Sequence, residues 1–196
     1  MNMQFPAARS GLAAIALILI ASAPIRPVAA QSIDLPIRNI PQETQVWCWA
    51  AVAQQIINFS VGRRRTPPQC ALVAMANGAP PGVCCNRAGR FNGNPQCERT
   101  GAFQQIQGLI AQFGGRLSNL APPAHPRVLF DTLRRRHPII LAVRSTPFSG
   151  HVVVLKGMSY RRGVPVLHIN DPLSHFTRPM PFQALLPFWQ AAIVVR

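Results

Sequence analysis

Acidic residues and lysine are scarce in this sequence. Five Asp and Glu stand against 20 Lys and Arg, which gives a formal net charge of +15, and Lys156 is the only lysine. A field of this sign attracts anionic surfaces in a salt-dependent way, so we expect non-specific adhesion to them. The basic residues are not interleaved with aromatic side chains that could stack on bases. The sequence therefore gives no reason to expect specific nucleic-acid recognition.

Internal repeats and long apolar spans are absent after residue 30, so no transmembrane segment is expected in the mature chain. The composition is 48% hydrophobic and only 13% charged, which favours a folded core over disorder. A length of 196 residues suits one globular domain.

Residues 1–30 have the pattern of a cleavable export signal. A basic residue precedes an apolar run that is too short to span a bilayer, and no acidic residue lies in the segment. Val28 and Ala30 place small side chains ahead of a cleavage site before Gln31. We expect an exported protein, periplasmic or secreted, with its domain over 31–196. An uncleaved amphipathic or anchoring start is the alternative.

The number of cysteines is odd, so an exported chain with the others paired keeps one thiol. Cys48 stands alone in an apolar segment and is the candidate thiol. The other four lie in a Gly-, Pro- and Asn-rich region at about 61–100: Cys70, Cys84, Cys85 and Cys97. Two pairings are open: 70–84 with 85–97, or 70–85 with 84–97. Either would staple this region, whereas a zinc site is disfavoured because no paired C-x-x-C spacing is present.

The order of the predicted elements indicates the fold class. Helical patterns come first, at 47–59, 70–76, 102–113 and 127–136. Short β-branched runs follow at 138–143, 151–155, 164–169 and 191–195. Helices followed by strands predict an α+β fold with an antiparallel sheet.

Cys48 falls at the start of the first predicted helix. A nucleophilic cysteine reacts as the thiolate, and the free amides of a helix N-terminus favour an anion and can also stabilise an oxyanion. No histidine is close in sequence, so the base must come through the fold. His151 begins a predicted strand after Gly150, and Asn170 and Asp171 end the next one. If these strands pair as a hairpin, either side chain could orient the imidazole.

These residues resemble the papain-like cysteine peptidases. The motifs are Gln42 to Ala51 (QETQVWCWAA), Gly150-His151 and Ile169 to Pro172 (INDP), in order over about 38–175. The resemblance is strongest to a bacterial branch that includes plant-pathogen effector proteases and the peptidase domains that trim double-glycine leaders. It implies a nucleophile helix packed on a C-terminal antiparallel sheet.

The resemblance also implies roles for individual residues. Gln42, six positions before Cys48, would donate to the oxyanion, while Gln45 is of the right type but the wrong spacing. His151 would be the general base. Asp171 matches the orienting group of the bacterial branch, whereas papain-type relatives use an asparagine, so Asn170 stays an alternative.

We therefore predict an exported peptidase that hydrolyses peptide bonds of a peptide or protein substrate. No metal or organic cofactor is expected. Two alternatives stay open: acyl transfer or hydrolysis of a non-peptide amide at the same site, and an exported basic binding module or toxin with a vestigial triad.

Overall fold

The computed structural model describes residues 31–146, 149–176 and 178–196. The predicted export signal at 1–30 lies outside the described residues. Across the described ranges, no helix combines the length and apolar character needed to cross a lipid bilayer.

The helices occupy the N-terminal half and the segment before the last strand. They are α1 (Cys48–Val61), α2 (Gln69–Ala76), α3 (Phe103–Gln112), α4 (Pro126–Arg134) and α5 (Phe182–Leu185). Two 3₁₀ turns cover Arg63–Arg65 and Pro81–Val83. Helix α1 contains neither glycine nor proline and ends at Gly62, whose φ of 82° leaves the helical region. The four helices expected from the sequence are confirmed, and the short α5 was not predicted.

The strands form one antiparallel sheet. They are β1 (Ser32–Asp34), β2 (Ile139–Thr146), β3 (Ser149–Arg161), β4 (Val164–Asn170), β5 (Met180–Pro181) and β6 (Trp189–Val194). Their order is β5-β4-β3-β2-β6, with β1 paired to β3. Every pairing between these strands is antiparallel. The predicted α+β class is confirmed.

A two-residue turn joins β3 to β4. Arg162 and Gly163 have φ of 51° and 81°, and two consecutive positive φ values are typical of a type I′ hairpin turn. Counted back from this turn, the register pairs Val154 with Asn170. The predicted hairpin is therefore present, and it brings the start of β3 beside the end of β4.

The core lies between the helices and the centre of the sheet. Consecutive residues are buried in β2, over 139–143, and in β3, over 151–155. Because neighbouring residues of a strand point to opposite faces, both faces of the sheet are covered here. Helix α1 contacts β3, α2 and α3, while α4 contacts β3 and β1. The first turn of α1 is thereby held against the sheet.

Two disulfides staple the loop region after α1. Cys70 pairs with Cys85 and Cys84 with Cys97, which is the second of the two pairings left open by the sequence. Cys48 is the free cysteine of the described chain.

Candidate active site

Cys48 is the first residue of α1 and lies half-buried in the wall of a cleft of about 620 Å³. The preceding residue, Trp47, makes no side-chain cap to the helix, and the first turn has no acidic residue. The amides of this turn are thus free of a competing side-chain acceptor, so their partial positive charge is available to an anion in the cleft.

His151 lies in β3 and lines the same cleft. Its Nε2 atom lies 2.6 Å from Oδ1 of Asp171, and these side chains are only 2% and 0% exposed. Burial lowers the pKa of His151, but hydrogen bonds to Asp171 and Cys48 and the charges of both groups outweigh it and raise the pKa from 6.5 to about 9. Since Nε2 is engaged by Asp171, Nδ1 is the ring nitrogen left to face the Cys48 thiol.

Asp171 follows directly on β4 and is held by four donors. Besides His151, the backbone amides of Leu173, His175 and Phe176 donate to its carboxylate at 2.8, 2.7 and 2.9 Å. Burial raises the pKa of Asp171, but the hydrogen bond with His151, the amides and the charge of the imidazole lower it below 3.8 overall. The carboxylate is therefore fixed in position and favoured in its ionised form.

Asn170 points elsewhere. Its buried side-chain amide donates to the carbonyl of Ile37 at 2.8 Å and so attaches the N-terminal segment to β4. The same segment is tied to the next residue, because Asn39 donates to the backbone carbonyl of Asp171 at 3.1 Å. Of the two orienting residues considered from the sequence, Asp171 is the one that contacts His151.

The two glutamines before Cys48 occupy different places. Gln42 donates from Nε2 to the carbonyl of Thr44 at 2.7 Å, and its buried Oε1 has no partner among the described residues. Its backbone amide donates to Pro172 at 3.3 Å, next to Asp171. Gln45 lines the cleft, whereas Gln42 is not among the described residues that do so.

The wall facing α1 comes from the end of the disulfide region, which was not predicted as part of the site. Two tryptophans, one on each side of Cys48 in the sequence, hold this wall in place. The indole N–H of Trp47 donates to the carbonyl of Cys97 at 2.9 Å, and that of Trp49 donates to the carbonyl of Arg99 at 3.2 Å. Gly101 packs on the Trp49 ring so closely that a Cβ there would lie 2.5 Å from Cγ of the indole. The sequence signals for this wall are the final cysteine of the cluster and the glycine that follows it.

The lining of the cleft is largely apolar and uncharged. Apart from His151, no Asp, Glu, Lys, Arg or second His from the described residues contributes to it. Seven apolar side chains line it: Val46, Trp49, Ala102, Phe103, Ile106, Val152 and Leu173. No group of three or more His, Cys, Asp or Glu in the described ranges is arranged to hold a metal ion.

The chain is similar to known proteins in sequence and in fold. The family model described as "Papain-like cysteine protease AvrRpt2" matches residues 29–189. No curated protein matches the chain significantly.

Two solved structures share the fold. A C39-like peptidase from Bacillus anthracis aligns with a TM-score of 0.53 and 16% identity, over 85% of this chain and 98% of that one. The digestive procathepsin L 3 from the larval midgut of Tenebrio molitor aligns with a TM-score of 0.55 and 12% identity, over 87% and 70% of the two chains.

Proposed function

The chain belongs to the papain-like cysteine protease family of AvrRpt2 and is a cysteine peptidase by family and fold, and we propose that it cleaves peptide bonds with Cys48 as the nucleophile. His151 is the acid–base residue and Asp171 orients it. The single observation that carries these assignments is the buried contact of Asp171 with His151, which lines the same cleft as Cys48. A vestigial site would have no need to keep a buried ionisable pair so fully hydrogen-bonded.

The reaction has two halves. The Cys48 sulfur attacks the peptide carbonyl and its proton resides on Nδ1 of His151. When the carbon–nitrogen bond breaks, that proton passes to the leaving amine and a thioester remains. Water then attacks the thioester, giving a proton to His151, and the carbon–sulfur bond breaks to release the acid and return the proton to Cys48. A pKa of about 9 keeps the imidazole protonated at neutral pH, ready to donate to the amine.

The oxyanion is stabilised by the backbone amide of Cys48 and the side chain of Gln42. The helix start at Cys48 supports the first donor. For the second, the role of Gln42 is taken from the family resemblance: Gln42 does not line the cleft, and one of its Nε2 hydrogens is engaged by Thr44, so its amide has to turn towards the substrate to donate the other. Gln45 is placed to contact a substrate farther along the cleft.

The substrate is a peptide with an uncharged, apolar side chain beside the cleaved bond. The support is the cleft lining, which is apolar and, apart from His151, uncharged, although the chain as a whole carries a net charge of +15. A charged side chain would lose water in this cleft without gaining a partner.

The protein acts outside the cytoplasm, either in the periplasm or after secretion. Two disulfides support this location, because such bonds persist in oxidising compartments. Mass spectrometry of the natural protein would find Gln31 at its N-terminus and both disulfides intact. A first residue within 1–30 would contradict cleavage of the signal.

Activity is tested with peptide libraries and product analysis. Cys48→Ala should hydrolyse no library member above background while keeping the melting temperature and circular dichroism of the native protein. Adding amine nucleophiles distinguishes acyl transfer from hydrolysis, because transfer yields an amide of the added amine. Retained turnover by Cys48→Ala would exclude the proposed nucleophile.

A further inference from the structure

A second cavity, of about 390 Å³, lies outside the cleft between the segment before α1, the C-terminal half of α1 and the 3₁₀ turn that follows it. We call it the Arg38 cavity. The polar residues that line it are Arg38, Asn39, Gln54, Asn58, Arg63 and Thr66. No Asp or Glu from the described part of the chain contributes to the lining.

The two arginines of this cavity have no carboxylate partner in the described chain. Across the described chain, salt bridges join Asp171 to His151, and Asp34 to Lys156 and His168. None of them involves an arginine. Arg38 and Arg63 place two like charges around one cavity, and an anion bound there would offset their repulsion.

The walls of the Arg38 cavity are held in place before any ligand arrives. Gln54 donates to the carbonyl of Pro67 at 2.9 Å and accepts from Gln69 at 3.2 Å. Asn39 accepts from Gln55 at 3.2 Å. A wall fixed in this way loses little conformational freedom when a ligand binds.

Asn58 adds a further donor. Its side-chain amide has no hydrogen-bond partner among the described residues, and it projects from α1 into the lining that Arg38 and Arg63 share. Two planar guanidinium groups and an amide, with no competing carboxylate, match the several acceptor oxygens of a tetrahedral oxyanion.

We propose that the Arg38 cavity binds the phosphate or sulfate group of an acidic ligand. This is a specific site, in contrast to the diffuse attraction that a net charge of +15 exerts on any anionic surface. It is also independent of peptide cleavage, because neither Arg38 nor Arg63 belongs to the cleft.

The test uses the oxidised protein and titrates inorganic phosphate and, separately, inorganic sulfate by isothermal titration calorimetry at constant ionic strength. Arg38→Gln and Arg63→Gln remove one lining charge each. Arg64→Gln is the matched control, because it removes the same charge from the adjacent, exposed residue that is not part of the lining.

Loss of a charge-assisted hydrogen bond should raise the dissociation constant by about tenfold or more in each lining variant. In the control, a change of less than about twofold is expected, since Arg64 does not line the cavity and its exposed charge acts on the bound ion only through solvent that screens it. The ion with the lower dissociation constant identifies the ester group that the site accepts. Equal weakening in all three variants, or no saturable binding of either ion by the native protein, would overturn the proposal.

Discussion

The Nε2 atom of His151 lies 2.6 Å from Oδ1 of Asp171, and both side chains are almost completely buried. The pair spans the hairpin between β3 and β4, and it presents the opposite nitrogen of the imidazole towards the cleft. Since a neutral or rotated imidazole would not serve the leaving amine, this contact is the feature on which the proposed chemistry depends.

The orienting role is tested by comparing Asp171→Ala with Asn170→Ala. Without its carboxylate partner, His151 loses both its orientation and its charge stabilisation, so kcat should fall by about 100-fold or more. Asn170 anchors Ile37, so its removal should cost about 1–3 kcal/mol of unfolding free energy while kcat stays within about tenfold of the native value. Steady-state kinetics and urea denaturation measure both effects, and a larger loss of kcat in Asn170→Ala would reverse the assignment.

The same pair predicts how stability depends on pH. The pKa of His151 is raised on folding from 6.5 to about 9, so its stabilising contribution is complete below pH 6.5 and is lost as the pH rises through about 9. The pKa of Asp171 is lowered on folding, so its contribution is present above pH 3.8 and declines as the pH falls below that value.

Melting temperatures of native protein and Asp171→Asn, measured from pH 6 to 10, isolate this effect. The difference between the two proteins should be largest at pH 6 and shrink towards pH 10, because the variant lacks the charge that raises the pKa of His151. A difference that is constant over this range would show that the pair is not ionised in the folded protein.

Gly101 should tolerate no side chain. Alanine at this position would collide with the indole of Trp49, which is 3% exposed and cannot move aside, so we expect a loss of about 1–3 kcal/mol of unfolding free energy and a lower kcat/KM. Gly108 is the control, since it lies in α3 with open space where its Cβ would be. Gly108→Ala should raise stability by about 0.5–1 kcal/mol. If denaturation finds the two variants equally stable, Gly101 is not packed against Trp49 as closely as described.

The two disulfides should affect stability alike but catalysis differently. They close loops of similar length, with sequence separations of 15 and 13, so replacing either pair by alanine should cost about 2–4 kcal/mol. Of these four cysteines, only Cys97 carries the carbonyl that anchors Trp47, the residue before Cys48. The Cys84→Ala, Cys97→Ala double variant should therefore show the larger rise in KM. If the Cys84→Ala, Cys97→Ala variant and the Cys70→Ala, Cys85→Ala variant have equal KM values, the wall that Cys97 anchors does not contribute to substrate binding.

The sequence was sufficient for the elements that carry local signals. The helix at Cys48 follows from an apolar run without glycine or proline, and the hairpin follows from Arg162-Gly163 between two β-branched runs. The sequence did not decide which of Asn170 and Asp171 contacts His151. Neighbouring residues at a strand end point in opposite directions, and the register that decides between them depends on contacts distant in sequence.

Other features of the fold had no local signal. The pairing of Cys70 with Cys85 was open because Cys84 and Cys85 are adjacent and either could serve. Strand β1 has three residues, and its position is set by pairing with β3 more than a hundred residues later. Here Gly157 leaves room for Asp34, whose carboxylate reaches Lys156 at 2.8 Å. Such long-range packing is invisible to periodicity.

The assignment of Cys48 as nucleophile and His151 as its partner is tested most directly by the rate at which iodoacetamide alkylates Cys48 in the oxidised protein at neutral pH, followed by peptide mass mapping. A protonated His151 stabilises the neighbouring thiolate, so native protein should be labelled at Cys48 alone, at least about tenfold faster than His151→Ala. His168→Ala, which removes an imidazole that instead contacts Ser159 and Asp34, should react at the native rate. An unlabelled Cys48, or equal rates in native protein and His151→Ala, would contradict the assignment of these two residues.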